Sequence, residues 1–148
     1  HDERLANLEK LIQRQAREDE RVKRLMKIEG IGPISATAVV SAVGDARQFR
    51  SGRQFAAWLG LVPSQHSSGG KERLGSISKR GDKYLRTLLV HGARAVLKHC
   101  QEKTDKRSDW LNKLLCRRNK NIATVALANK NARIIWAILS KGEQYQPG

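Results

Sequence analysis

Helical spacing of apolar residues constrains this chain more than anything else in it. Leu85, Leu88, Leu89, Ala93, Val96 and Leu97 mark one side of a segment that Asp82 can cap and that runs from Lys83 to about Cys100. Trp110, Leu111, Leu114 and Leu115 do the same over 105–119, and Ile122, Val125, Ala126, Ile135, Trp136 and Leu139 over 121–140. Ser51 can cap a short helix, Gly52 to Leu59, with Phe55, Trp58 and Leu59 inward. The chain is therefore expected to be mostly α. Phe49, Phe55, Trp58, Trp110 and Trp136 are the large anchors of its core.

Residues 2–27 contain neither Gly nor Pro. Leu5, Leu8, Ile12, Gln15, Asp19, Val22 and Met26 alternate at spacings of three and four, a heptad seam with a polar middle. We read 2–27 as one helix, so that 1–27 is a truncated coiled-coil arm rather than a helix folded back on the domain, and 28–148 as a compact helical domain. Gly30-Ile31-Gly32-Pro33 then forms a hairpin between helices, with Ile34, Ala38, Val39 and Ala42 facing inward and Gly44 as the stop. This pattern is helix–hairpin–helix-like. It serves either packing or the approach of a phosphate to Gly30 and Gly32, where a Cβ would hold it off.

The chain carries 29 Lys and Arg against 14 Asp and Glu, a net charge of +15. Residues 47–98 hold 11 of the bases and only 2 of the acids. That excess speaks to partners rather than to fold, and a polyanion is the expected partner. No apolar run approaches the roughly 18 residues of a membrane span. Cys100 and Cys116 form no CxxC pair, so a zinc site is not expected. The chain starts at His1, so a longer parent is expected.

The cationic centre surrounds Ser64-Gln65-His66-Ser67-Ser68-Gly69-Gly70-Lys71-Glu72-Arg73-Leu74-Gly75. This segment is either a phosphate-binding loop or a nucleophile loop, and Arg73 to Ser78 could add a short strand or β-hairpin. A serine attacking a phosphodiester needs an exposed hydroxyl and positive charge aimed at the phosphoryl oxygens. Gly69 and Gly70 remove bulk beside Ser68. Lys71, Arg73, Lys79, Arg80, Lys83 and Arg86 supply charge, and Arg94 and Lys98 extend a basic edge. A Walker loop is absent. Glu29, Asp45, Glu72 and Asp82 are too few and too scattered for a two-metal site between 28 and 98.

Four blocks then occur in order: Ile28-Glu29-Gly30-Ile31-Gly32-Pro33, Phe55-Ala56-Ala57-Trp58-Leu59-Gly60-Leu61-Val62-Pro63, Ser67-Ser68-Gly69-Gly70-Lys71, and Ile77-Ser78-Lys79-Arg80-Gly81-Asp82-Lys83-Tyr84-Leu85-Arg86. Over about 25–140 the chain resembles the C-terminal transposase domain of the IS-one-ten family of insertion-sequence recombinases, relatives of Piv-type invertases. The resemblance implies a serine nucleophile at Ser68, with Ser67 the alternative, and a 5′-phosphoserine intermediate in DNA cutting and joining. It implies Mg²⁺ in an N-terminal RuvC-like domain outside this chain, and no cofactor within it. It implies DNA, a bridge RNA and a homo-oligomer (dimer or tetramer, through the N-terminal helix) as partners, and action at the bacterial nucleoid in the cytoplasm. The alternative is a non-catalytic helix–hairpin–helix-type module for DNA or RNA binding and oligomerisation.

Overall fold

The computed structural model describes residues 2–62, 82–142 and 145. Seven α-helices run through them: α1 (Asp2–Glu18), α2 (Glu20–Met26), α3 (Pro33–Val43), α4 (Gly52–Trp58), α5 (Lys83–His99), α6 (Lys106–Arg117) and α7 (Lys120–Lys141). Short 3₁₀ turns, Ala46–Gln48 and Cys100–Glu102, precede α4 and follow α5. The described residues are thus mostly helical, as expected. The short strand considered for Arg73 to Ser78 lies outside them.

Capping residues set most of the helix starts. Ser51 accepts from Gln54 N, Asp82 from Tyr84 N and Leu85 N, Asp105 from Ser108 N, and Asn119 from Ile122 N. Each side-chain oxygen satisfies donors that the first helical turn leaves free. Gly60, at φ +75°, ends α4. There Leu61 N donates to Ala56 O and Gly60 N to Ala57 O, both at 2.9 Å. This is a Schellman closure, and the buried Leu61 and Ala56 supply its apolar contact.

α7 is the centre of the packing. It lies against α2, α4, α5, α6 and the first 3₁₀ turn. Ala123, Leu127, Ala128, Ala132, Ile135 and Ile138 are its buried stripe. Small residues let neighbours approach: a Cβ on Gly52 would stand 3.1 Å from the Arg133 Cα. α7 is also long and apolar enough to cross a membrane. Its buried stripe and five packing partners make it a core helix of this fold. Phe49, Phe55 and Trp58 cluster beside it, with ring centroids 5.2–6.1 Å apart.

Three sequence expectations are corrected. Residues 2–27 are not one helix. The chain breaks at Asp19, whose backbone is extended and whose carboxylate accepts from Arg21 N to cap α2. Asp19 is therefore a cap rather than a seam position. Ala16, Val22 and Leu25 are buried while Leu5, Leu8 and Leu11 stay exposed. In α3 the inward face is Ala36, Val39, Val40 and Val43, with Ile34 exposed at its first turn. Ile122 is likewise exposed at the start of α7.

A close backbone approach joins the turn after α2 to the middle of α5. A Cβ on Gly92 would stand 2.0 Å from the Gly30 carbonyl oxygen, and one on Gly30 would stand 3.0 Å from Val96 Cγ2. Gly30 also holds φ at +95°, where a side chain is strained. A Cβ on Gly32 would meet nothing within 4 Å. Gly92→Ala should therefore lose about 3 kcal/mol in urea unfolding through overpacking, whereas Gly32→Ala should stay within about 1 kcal/mol. Asp19 adds a pH effect. The Arg21 side chain, through its hydrogen bond, holds the carboxyl below its ordinary value. Its stabilisation is present above about pH 4, the unfolded value, and is lost as pH falls through the lower folded value. Helix content around the break should fall on acidification in native protein and be less pH-sensitive there in Asp19→Asn.

Candidate nucleic-acid interface

Both flanks of the Ser/Gly segment rest on α7. On the incoming side, Asn129 Nδ2 donates to the Leu61 carbonyl at 2.9 Å, just beyond the Schellman closure. On the outgoing side, Asp82 caps α5, and α5 packs along α7. Ser67, Ser68, Gly69, Gly70, Lys71, Arg73, Lys79 and Arg80 lie outside the described residues.

The candidates that are described fall into two groups. Gly30 is spent on packing against Gly92 and Val96. That gives a structural reason for its lack of a side chain, independent of any phosphate. Gly32 caps α3 with open space around its Cα. Lys83 is exposed at the first turn of α5. Arg86 is half-buried, because it lies in register with the buried Leu89 and Ala93.

The outer face of α5 is the main cationic surface beside the segment. Lys83, Tyr84, Thr87, His91, Arg94 and Lys98 are exposed along it, and Tyr84 is 60% exposed. The helix contains no acidic residue. Some cations elsewhere are paired with a nearby acid. Arg21 pairs with Asp19, Arg47 with Asp45, Lys103 with Glu29 and Lys113 with Asp109. Lys83, Arg94 and Lys98 make no such pair among the described residues. An exposed aromatic ring among unpaired cations suits a nucleic-acid backbone with a base to stack.

Sequence reasoning passed over a second cluster. Lys130 Nζ lies 4.3 Å from the centre of the Trp110 ring. Burial, then the charges of Arg107 and Arg133, push its pKa below the ordinary lysine value. Its three cations come from separate turns of α6 and α7, so no local run of charge announced them. Among the described residues no group of three or more His, Cys, Asp or Glu side chains could hold a metal ion. The Mg²⁺ implied by the resemblance has no site among them.

The described residues form a helical frame with a cationic face on α5, and the class of protein follows from sequence comparison. The family model described as "Transposase IS116/IS110/IS902 family" matches residues 22–109, and the chain belongs to that family. It is 66% identical over 145 residues to a Pseudomonas aeruginosa protein named "Probable family 20 transposase", covering 98% of this chain and 43% of that protein. It is 52% identical over 147 residues to the "Transposase for insertion sequence element IS1111A" of Coxiella burnetii, covering 99% of this chain and 40% of that protein. Over 70 residues, 47% of this chain and 22% of the relative, it is 36% identical to the "Pilin gene-inverting protein" of Moraxella bovis. The chain thus spans about two fifths of the length of the first two relatives. No solved structure matches it significantly.

The α5 face makes a direct prediction for oligonucleotide binding. Replacing Lys83, Arg94 or Lys98 by Ala should shrink the dependence of log affinity on log salt by about 0.9 per lost phosphate contact on duplex DNA. Stability should stay within about 0.5 kcal/mol, since these are surface positions. Fluorescence anisotropy across a salt series, with thermal melts alongside, measures both.

Proposed function

We propose that this chain is the serine-bearing C-terminal part of a DNA transposase that cuts and rejoins strands through a 5′-phosphoserine link. Membership in the transposase family carries the reading. The unpaired cations of α5, beside the Ser/Gly segment, support it.

Ser68 is the proposed nucleophile, with Ser67 as the alternative. Its Oγ attacks a backbone phosphorus, and the P–O3′ bond breaks. The serine proton is accounted for by the 3′-hydroxyl that leaves. The DNA 5′-phosphate is then held as a serine ester. A 3′-hydroxyl from the partner strand attacks that ester, the new phosphodiester forms, and the serine recovers its proton. Water is not consumed, so the bond count is conserved through exchange. Lys71, Arg73, Lys79, Arg80, Lys83 and Arg86 are assigned to phosphate positioning. Positive charge fixed before the reaction stabilises the extra negative charge of the five-coordinate phosphorus.

Three further elements belong to the same proposal. The parent protein acts as a dimer or tetramer joined through α1, which the exposed Leu5, Leu8 and Leu11 support. A guide RNA pairs with the DNA and so selects the site. The metal-binding acids sit in another part of the parent, consistent with the short span of this chain within its relatives. Action on bacterial DNA places the parent at the nucleoid.

Serine replacement tests the reading against a binding-only module. In the full-length protein, Ser67→Ala with Ser68→Ala should abolish recombination, by at least about a thousandfold, and leave oligonucleotide affinity within about threefold. Ser68→Ala alone should reproduce the loss. Recombination that survives the double replacement would reduce the segment to a phosphate clamp.

A further inference from the structure

On the α6–α7 side of the molecule, Lys130 lies close enough to Arg107 and Arg133 to feel their charges. Arg107 reaches from the first turn of α6, and Lys130 and Arg133 project from adjacent turns of α7. Among the described residues none of the three forms an ion pair. Arg107 is half-buried, and its Nε and Nη2 have no hydrogen-bond partner. Its Nη1 meets only the Tyr145 hydroxyl, at 3.5 Å. That is long beside the roughly 2.7–2.9 Å of a charge-assisted bond. Lys130 sits over Trp110 at 4.3 Å. Lys130 and Arg133 are exposed.

Each feature alone is costly. Buried guanidinium N–H groups without acceptors lose their hydration for nothing. Like charges gathered around one point repel, and burial with the fields of Arg107 and Arg133 already lowers the Lys130 pKa. A bound oxyanion offsets the repulsion among the cations and offers Arg107 Nη1 a stronger acceptor than the Tyr145 hydroxyl. It supplies oxygens to the guanidinium and negative charge to the cluster. A phosphate suits the site better than a carboxylate. The chain has an excess of 15 positive charges to match to a polyanion, and the rings of Trp110 and Tyr145, which pack against the core, stand beside the cations.

We propose that Arg107, Lys130 and Arg133 form a second phosphate site for nucleic acid, on different helices from the α5 face. Lys130 and Arg133 meet the phosphate from solvent. Arg107 strengthens the local field and gains a full acceptor as the weak contact to Tyr145 is exchanged. The proposal rests on the nucleic-acid reading given above. It adds a separate contact surface, so that a strand held at α5 has a companion strand or a continuation held at α6–α7.

The test uses the full-length protein, with fluorescent single-stranded and duplex oligonucleotides, over a salt series. Arg107→Ala could damage folding, so the variant is Lys130→Gln with Arg133→Gln. The control is Arg47→Gln with Lys113→Gln, which removes the same charge from residues already paired with acids. The Lys130/Arg133 variant should reduce the slope of log affinity against log salt by about 0.7–0.9 and weaken binding several-fold in 0.15 M salt, while the control leaves the slope unchanged. An unchanged slope in the Lys130/Arg133 variant overturns the proposal and leaves the α5 reading standing. A carbodiimide cross-link from Lys130 to a carboxylate of the same protein, with the slope unchanged, assigns the cluster to a protein contact and also overturns it. Absence of salt-dependent binding in the unaltered protein removes both the proposal and the reading beneath it.

Discussion

The fold depends on how closely its neighbours can approach α7. Small residues on that helix, chiefly Ala123, Ala128 and Ala132, are fully buried. They allow α4 and α5 to settle against it. Polar groups of the same helix then tie down the chain that crosses it. Trp136 Nε1 donates to the carbonyls of Ala46 at 3.0 Å and Phe49 at 3.2 Å. Asn129 holds Leu61. These bonds give a loop-rich stretch, 46–61, acceptors matched inside the protein rather than in water. The same helix therefore governs both the aromatic cluster and the two flanks of the serine-bearing segment.

That arrangement has a functional reading. A nucleophile that must meet a phosphorus in line benefits from fixed surroundings, because misplacement by an ångström is expensive in rate. The flanks supply such surroundings. One is closed by a Schellman turn and the other by an Asp-capped helix. Charge is distributed in keeping with this. Where a cation serves structure, an acid stands beside it, as with Lys103 and Glu29 across the α5–α2 side of the fold. On the α5 face and around Arg107, by contrast, the cations have no carboxylate partner among the described residues.

Local rules were read well from sequence, and tertiary ones were not. The caps at Ser51 and Asp82 and the buried Leu85, Leu89, Ala93, Val96 and Leu97 follow from short-range chemistry, and the structure has them. Asp19 was misread because a polar residue in a heptad and an N-cap look alike until the backbone is seen. Ile34 and Ile122 were placed inward by apolarity, but both sit in first turns at the surface. Gly30 was a candidate for phosphate contact. Its actual neighbour, Gly92, lies more than sixty residues away, and no local pattern connects them. The cluster of Arg107, Lys130 and Arg133 was hidden for the same reason. The serines, by contrast, were legible only through a family motif. The described helices explain their flanks and not their chemistry.

The most direct measurement is mass-spectrometric mapping of a covalent protein–DNA adduct in the full-length protein, trapped on a donor duplex nicked close to the cleavage position. The account predicts a nucleotide joined through its 5′-phosphate to Ser68, or to its neighbour Ser67. Strand cleavage that proceeds with no adduct on either serine would contradict it, and would transfer the chemistry to another part of the parent protein.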